Sequence, residues 1–280
     1  MKILVLGYKG MLGTDLMADL GGTHEVAGKD IEDFDITAPS ECRDVVGQSG
    51  ADVVINAAAY TNVDGCETDE AGSFSVNADG VKNVAMACRE SGIKLVHFST
   101  DYVFDGTKKA PYVEEDACSP INAYGRSKLK GEAYLREISD NYLLIRTSWL
   151  YGRNGRNFVG AIVERAEKTG KLEVVDDQRG SPTYTVDLAA AVRVLIEGDH
   201  RGVFHLTNRG VCTWYQFALK ILEYRDMRNV SIVPIQSAQL GRCAPRPENS
   251  ALSCRKFADA THRTMRFWQI ALEEYMARMS

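Results

Sequence analysis

Three polar residues in the middle of this chain can transfer a proton to a carbonyl oxygen. Tyr124 and Lys128 lie four positions apart in a helix-like segment, so their side chains share one helix face. A tyrosine has an ordinary pKa near ~10, and a neighbouring ammonium lowers that pKa by favouring the phenolate. Thr100 ends an apolar, strand-like run and adds a hydroxyl. We predict a catalytic trio, although Tyr-x-x-x-Lys also occurs as a plain surface pair.

A glycine-rich turn near the start of the chain predicts a phosphate-binding site. It follows the apolar run 3–6 and opens a helix-like segment. A helix N-terminus offers unpaired N–H groups to phosphate, and glycine lets the backbone approach it closely. The predicted residues are Gly7, Gly10, Met11, Leu12 and Gly13. An ordinary strand-to-helix turn can carry the same glycines, so this motif needs its context.

Residues after the next two strands extend this prediction to a whole dinucleotide. Asp30 follows the second strand, where an acid can bind the adenosine ribose hydroxyls. Lys29 beside it can instead favour a 2′-phosphate, so the choice between NADH and NADPH stays open. The other predicted cofactor contacts are Asp35 and Ile36 near the adenine, the small-residue segment Ala57, Ala58, Ala59 and Tyr60, and the catalytic pair Tyr124 and Lys128. In this order the motifs indicate a dehydrogenase or a close relative.

Strand-like and helix-like segments alternate through the first half of the chain. The strands are 2–6, 25–27, 52–56, 94–99 and 142–147, and the helices between them are 11–20, 39–46, 70–90 and 122–138. Such alternation predicts an α/β, Rossmann-type fold with a doubly wound parallel sheet. We predict a dinucleotide-binding domain over 1–150, to which the chain returns around 178–207, and a smaller C-terminal α/β substrate lobe over 151–280.

Composition excludes several other classes of protein. The net charge of −5 and the absence of a basic block argue against nucleic-acid binding. No stretch approaches the ~20 apolar residues of a membrane span, and no secretory signal is recognisable. The seven cysteines are odd in number and scattered, which is typical of a reduced, cytoplasmic protein. The five histidines show no ligand spacing, so no metal site is expected.

Longer motifs resemble the extended short-chain dehydrogenases/reductases and, within them, the dTDP-4-dehydrorhamnose reductase family. They cover nearly the whole chain and are far more specific than the glycine turn. They are the segments 56–64 (NAAAYTNVD), 99–106 (STDYVFDG), 146–149 (RTSW) and 177–183 (DQRGSPT), and Arg246-Pro247 followed by Ser250.

This resemblance implies a reaction and a set of residues. The reaction is NAD(P)H-dependent reduction of the 4-keto group of dTDP-4-dehydro-L-rhamnose to dTDP-L-rhamnose, a cell-envelope precursor. Thr100, Tyr124 and Lys128 are implied as catalytic. Residues implied near the sugar nucleotide are Val63, Asp64, Asp101, Trp149 and Arg246, although Trp149 also suits a core position. Homodimers are common in the family, and some members hold Mg²⁺ at the dimer interface through glutamates. Asp15 stands at the first-helix position and the C-terminal match is poor, so we do not expect the metal here.

Three alternatives remain at this stage. A 4,6-dehydratase is disfavoured, because Asp101-Tyr102 follows Thr100 where dehydratases have Asp-Glu. An epimerase, or a reductase of another 4-keto sugar nucleotide, is compatible with the motifs. A cofactor-binding regulatory subunit, like that of methionine adenosyltransferase, is disfavoured by the intact catalytic trio.

Overall fold

A six-stranded parallel sheet lies at the centre of the structure, a computed structural model that describes residues 1–279. The strands are β1 (Lys2–Leu6), β2 (Glu25–Lys29), β3 (Val53–Asn56), β4 (Lys94–Thr100), β5 (Tyr142–Thr147), β6 (Leu150–Tyr151), β7 (Lys171–Val175), β8 (Arg179–Gly180), β9 (Thr183–Tyr184), β10 (Gly202–His205), β11 (Cys212–Thr213) and β12 (Ser231–Ile235). The helices are α1 (Met11–Leu20), α2 (Pro39–Gln48), α3 (Val63–Thr68), α4 (Glu70–Phe74), α5 (Val81–Ser91), α6 (Ala123–Ile138), α7 (Phe158–Thr169), α8 (Thr185–Glu197), α9 (Trp214–Tyr224), α10 (Arg255–Thr261) and α11 (Trp268–Met279). The sheet order is β10-β5-β4-β3-β1-β2, which confirms the predicted Rossmann-type, doubly wound sheet.

Helices cover both faces of the sheet, and this explains why its strands are almost continuously apolar. Ile3 packs on one face with Leu16 of α1 and Leu188 of α8. Leu4, the next residue of β1, packs on the opposite face with Val84 of α5. Helices α1 and α8 therefore form one outer layer, and α2, α5 and α6 form the other.

The second half of the chain adds a strand to the sheet and builds a separate core. Strand β10 pairs in parallel with β5, and α8 packs against α1. The remaining elements enclose a second apolar cluster in which Val159 of α7, Phe217 of α9 and Leu272 of α11 are fully buried. Strands β7 and β12 pair beside this cluster. The C-terminal elements thus lie next to the carboxyl edge of the sheet, where β6 pairs with β9.

The predicted helix over 70–90 is wrong as one continuous element. A π-helical segment, Ser75–Gly80, separates α4 from α5. It places the buried Asn77 side chain against Tyr60, whose N–H donates to Asn77 Oδ1 at 2.9 Å and whose carbonyl accepts from Asn77 Nδ2 at 2.9 Å. π-Helical turns are often found at functional sites, and this one holds the loop after β3.

Several short elements carried too little periodicity to be predicted. Helix α3 begins where the Asn62 side chain accepts a hydrogen bond from the Gly65 N–H at 2.9 Å. Helices α10 and α11 and the two-residue strands were also missed. The longest helix, α6, has 16 residues. Across residues 1–279, no helix has the length and apolarity needed to cross a bilayer.

Candidate active site

The carboxyl ends of five parallel strands place the predicted residues along one edge of the sheet. Leu6 pairs in register with Asn56 and with Lys29, so the turns after β1, β2 and β3 are neighbours. Thr100 at the end of β4 pairs with Thr147 at the end of β5. Open α/β sheets bind ligands at this edge. The first-strand turn and the Thr100 region therefore open toward the same side of the molecule.

The glycine turn is shaped by close backbone packing. Gly7 has a φ of 77°, and a side chain there would meet the Ala58 backbone nitrogen at 2.8 Å. A side chain on Gly13 would collide with the Gly7 carbonyl oxygen and lie 2.7 Å from the Tyr8 Cα. Gly10 N–H donates to the Gly7 carbonyl at 3.1 Å and precedes the first residue of α1, Met11. The first turn of α1 consequently lies close against the β1 loop.

Gly13→Ala is expected to weaken NADPH binding at least about tenfold and to lower the free energy of unfolding by about 1–3 kcal/mol. A methyl group must push apart the β1 loop and α1, since the atoms it meets are backbone. NADPH titration by fluorescence and urea unfolding measure the two effects. Gly22→Ala is the matched control, because its nearest neighbour, the Asp19 carbonyl oxygen, is 3.6 Å away. Equal behaviour of the two variants would contradict the packing argument.

A cleft of about 350 Å³ lies beside this turn. Of the predicted cofactor residues, Gly7, Gly10, Asp30, Asp35, Ile36, Ala57, Ala58, Ala59 and Tyr60 line it. Sequence reasoning did not single out the lining residues Leu6, Ile31, Phe34 and Val76. Apolar walls with acids near one end suit an adenosine group. Leu12 is instead buried in the core of the sheet, and Met11 packs beside Gly152 of the second lobe.

The acid after β2 is held by the backbone of the glycine turn. Asp30 accepts hydrogen bonds from the Lys9 N–H at 3.0 Å and the Ile31 N–H at 2.9 Å. The Lys29 ammonium lies 3.9 Å from the Asp33 carboxylate, and Lys9 pairs with Glu32. The Asp30 carboxylate and the ammonium groups of Lys9 and Lys29 therefore lie around the position expected for the adenosine ribose, so both NADH and NADPH remain compatible with this region.

Helix α6 carries Tyr124 and Lys128, the predicted catalytic pair, and packs against β4. Its first turn is capped by Asn122, whose Oδ1 accepts from the Gly125 N–H at 2.7 Å. Lys128 is buried, and burial lowers the pKa of its ammonium to about 8. The negative charge of Glu132 acts in the opposite direction and raises this pKa, but its effect is smaller. Burial, and then the negative charge of Asp101, raise the pKa of Tyr124, while Thr100 opposes this shift. The expectation that Lys128 brings the pKa of Tyr124 down is wrong, because desolvation has the largest effect on this pKa and raises it. A raised pKa keeps the phenol protonated.

The structure joins two of the residues implied at the substrate side. Arg246 donates to both carboxylate oxygens of Asp64, with N–O distances of 2.7 Å. This bidentate pair, with the Ala244 N–H at 3.0 Å, lowers the pKa of Asp64 to about 2. Val63 precedes Asp64 as the first residue of α3. The C-terminal loop that carries Arg246 is thereby attached to the loop after β3.

Trp149 is held in an unusual backbone conformation beside the same region. Its φ is 49°, which is strained for a bulky residue and often marks functional positions. Its ring stacks on Trp214 with centroids 3.5 Å apart and planes 7° apart. A side chain at Gly180 would meet the ring at 2.5 Å. Trp214 and Gly180 thus fix the position of Trp149. Sequence reasoning quoted Gly180 within the segment 177–183 but gave neither residue a role.

The acids available near α1 do not fit a metal ion. Asp15 accepts a hydrogen bond from Thr185, while Arg266 bridges Asp187, at 2.8 Å, and Glu274. A guanidinium between these two carboxylates would repel a divalent cation. Among residues 1–279 no cluster of three or more His, Cys, Asp or Glu side chains could hold a metal.

A model of the family described as the RmlD substrate binding domain matches residues 1–280. The chain belongs to this family. It is 40% identical over 273 residues to a dTDP-4-keto-6-deoxy-D-glucose reductase from Streptomyces niveus, covering 97% of this chain and 95% of that protein. It is 38% identical to the dTDP-4-dehydrorhamnose reductase of Mycobacterium tuberculosis, covering 99% and 92% of the two chains.

Two solved structures of dTDP-4-dehydrorhamnose reductases superpose closely on this one. A dTDP-4-dehydrorhamnose reductase from Clostridium acetobutylicum has a TM-score of 0.96 and 38% identity, covering 100% of this chain and 99% of the other. A dTDP-4-dehydrorhamnose reductase from Bacillus anthracis, in complex with NADP, also has a TM-score of 0.96, with 36% identity and 99% coverage of both chains. A UDP-glucose 4-epimerase from Thermus thermophilus, at 20% identity and a TM-score of 0.84, shares the fold alone.

Proposed function

We propose that this RmlD-family enzyme reduces the 4-keto group of dTDP-4-dehydro-L-rhamnose to form dTDP-L-rhamnose with NADPH or NADH. The observation that carries this proposal is Thr100 at the carboxyl end of β4, with Tyr124 of α6 beside it, at the sheet edge that also forms the cleft. The reductases of this family that match the chain over nearly its full length support it.

The residues divide the work of ketone reduction. When bound, a reduced nicotinamide cofactor would supply the hydride that sugar carbon 4 receives. Tyr124 donates its proton to the carbonyl oxygen, a role suited to a phenol whose pKa is raised. Lys128 holds the cofactor ribose and, when charged, stabilises the tyrosinate that remains after proton transfer. Thr100 donates a hydrogen bond to the ketone oxygen and so polarises it.

The cofactor fits the cleft through the residues of three strand ends. Gly7, Gly10 and Gly13 form the turn at the N-terminus of α1, which suits the pyrophosphate, and Met11 and Leu12 supply the helix N–H groups there. Asp30, Asp35 and Ile36 line the cleft, where Asp30 would bind the ribose and the other two would lie near the adenine. The segment Ala57–Tyr60 follows β3 and is held by Asn77.

For the substrate we propose a site between the sheet edge and the C-terminal lobe. Val63, Asp64 and Arg246 line one side, and Trp149 and Asp101 the other. The first proposed lobe comprises residues 1–150, and the chain returns to it around 178–207. The second comprises residues 151–280, of which Ser280 lies outside the described residues. We further propose a cytoplasmic protein, since its seven cysteines are free thiols, that forms a homodimer and binds no nucleic acid.

Another 4-keto sugar nucleotide is the second candidate substrate. The observation in its favour is the 40% identity to a reductase of dTDP-4-keto-6-deoxy-D-glucose. The two substrates carry the same nucleotide and the same charge and differ only in the stereochemistry of the sugar. The charges of the residues at the catalytic edge therefore do not favour one substrate over the other.

The direct test is NAD(P)H oxidation, followed by absorbance, with enzymatically generated dTDP-4-dehydrorhamnose. We expect turnover with this ketone. Parallel assays with NADPH and NADH will measure which cofactor the enzyme prefers, a choice that Lys29 and Asp30 are expected to influence. Faster turnover of dTDP-4-keto-6-deoxy-D-glucose would favour the second candidate. Cofactor binding without turnover of either ketone, together with a stable complex with a larger enzyme, would instead favour a regulatory subunit.

A further inference from the structure

The Thr100 hydroxyl is already engaged in a way that conflicts with its proposed role. Its Oγ1 donates to Asp101 Oδ1 at 2.9 Å and accepts from the Tyr102 N–H at 3.1 Å. A hydroxyl carries one proton and two acceptor positions. When Asp101 is ionised, the proton of Thr100 must point at it, so none remains for a ketone oxygen. A change at Asp101 must precede any donation by Thr100.

Asp101 is buried in surroundings that favour its neutral form. It is 3% exposed and begins the 3₁₀ turn Asp101–Val103. Its second oxygen, Oδ2, is buried without a hydrogen-bond partner, and an unpaired buried carboxylate oxygen costs free energy. Burial raises the pKa of Asp101 to about 7, against weaker stabilisation of the carboxylate by Ser250 and Thr100.

The groups that pack around Asp101 supply little positive charge to it. Tyr102 belongs to the same turn, Tyr124 faces it from α6, and Ser250 approaches from the C-terminal loop. Two guanidinium groups act on Tyr102: that of Arg246, which is bound to the Asp64 carboxylate, and that of Arg242. Lys128, further along α6, is stabilised by Glu132.

We propose that Asp101 is a positioning residue whose protonated carboxyl donates to Thr100 Oγ1 and thereby turns the Thr100 hydroxyl toward the ketone oxygen. Thr100 then accepts from Asp101 and from the Tyr102 N–H and keeps its own proton for the substrate. No proton leaves Asp101 during the reaction, since Tyr124 protonates the sugar oxygen. This inference rests on the proposed ketone reduction and adds a protonation requirement to it.

The pH dependence of kcat distinguishes this role from a structural one. In the wild type, Asp101 loses its proton as pH rises through about 7, and the protonated carboxyl that orients Thr100 is lost with it. We therefore expect kcat to fall by up to about tenfold per pH unit. The Asp101→Asn side chain has an amide that donates to Thr100 at every pH. Its kcat should stay flat until Lys128, with a pKa of about 8, loses its charge. NADPH binding should match the wild type.

Asp105→Asn is the matched control, because Asp105 accepts from Thr107 and Tyr112 and does not bind Thr100. Its pH profile should follow the wild type. A Thr100→Val background supplies a second test, since Asp101→Asn should change the profile no further once the hydroxyl is gone.

Two results would overturn the inference while leaving the reductase intact. One is an Asp101→Asn enzyme with the wild-type pH profile. The other is an Asp101→Asn enzyme that binds NADPH normally and is inactive at every pH, which would show that the carboxylate itself is needed. Absence of wild-type turnover on any 4-keto sugar nucleotide would overturn the proposed function, and the inference with it.

Discussion

Tyr124→Phe is expected to lower kcat for ketone reduction by about 10²–10⁴-fold while NADPH still binds. The variant keeps the ring, which lies edge-on to Tyr102 with centroids 6.0 Å apart, and loses only the hydroxyl. Without that proton donor, the alkoxide formed by hydride transfer keeps the hydrogen bond from Thr100 but receives no proton. Steady-state NADPH oxidation gives kcat, and fluorescence titration gives the cofactor affinity.

Tyr102→Phe serves as the control for removal of a half-buried phenol beside the site. Tyr102 has no role in the proposed proton transfer, so kcat should stay within about tenfold of the wild type. Wild-type turnover in Tyr124→Phe would show that another group protonates the sugar oxygen. Loss of NADPH binding in the same variant would show that the substitution disturbs the cofactor site rather than the chemistry.

Glu132→Ala is expected to lower the free energy of unfolding by about 3–5 kcal/mol. Glu132 and Arg146 are almost completely buried, and Arg146 donates to both carboxylate oxygens at 2.9 and 2.7 Å. The guanidinium also packs over the Phe104 ring at 5.2 Å. Removing the acid leaves a buried cation without its counter-charge, which is the costly outcome for such pairs. Urea unfolding followed by circular dichroism measures the change.

An exposed ion pair between α4 and α6 supplies the control. Glu70 pairs with Arg126 of α6 at 3.0 Å, with side chains 52% and 41% exposed. Glu70→Ala should cost about 0–1 kcal/mol, because water and salt screen that pair. A double variant, Glu132→Leu with Arg146→Met, should recover most of the lost stability by replacing both charges with apolar groups. Equal costs for Glu132→Ala and Glu70→Ala would contradict the argument from burial.

Part of the catalytic region could be predicted because it depends on short-range spacing. Tyr124 and Lys128 face the same way on any helix, and a glycine turn between an apolar strand and a helix positions N–H groups for phosphate. The same local patterns predicted the parallel sheet, whose carboxyl edge brings Thr100 near both motifs. Boundaries failed where a side chain overrode periodicity, as in the π-helical turn that places Asn77 against Tyr60.

The sequence by itself determined the alternation of strands and helices, the glycine turn and the types of residue available for proton transfer, since these depend on neighbours along the chain. Only the tertiary structure decided which distant groups meet. Arg246 binds Asp64 from 182 positions away, and Trp149 is fixed by its stack on Trp214. Tertiary burial also set the pKa of Tyr124 above its usual value, against the expectation from Lys128 alone, because desolvation depends on every element packed around a group.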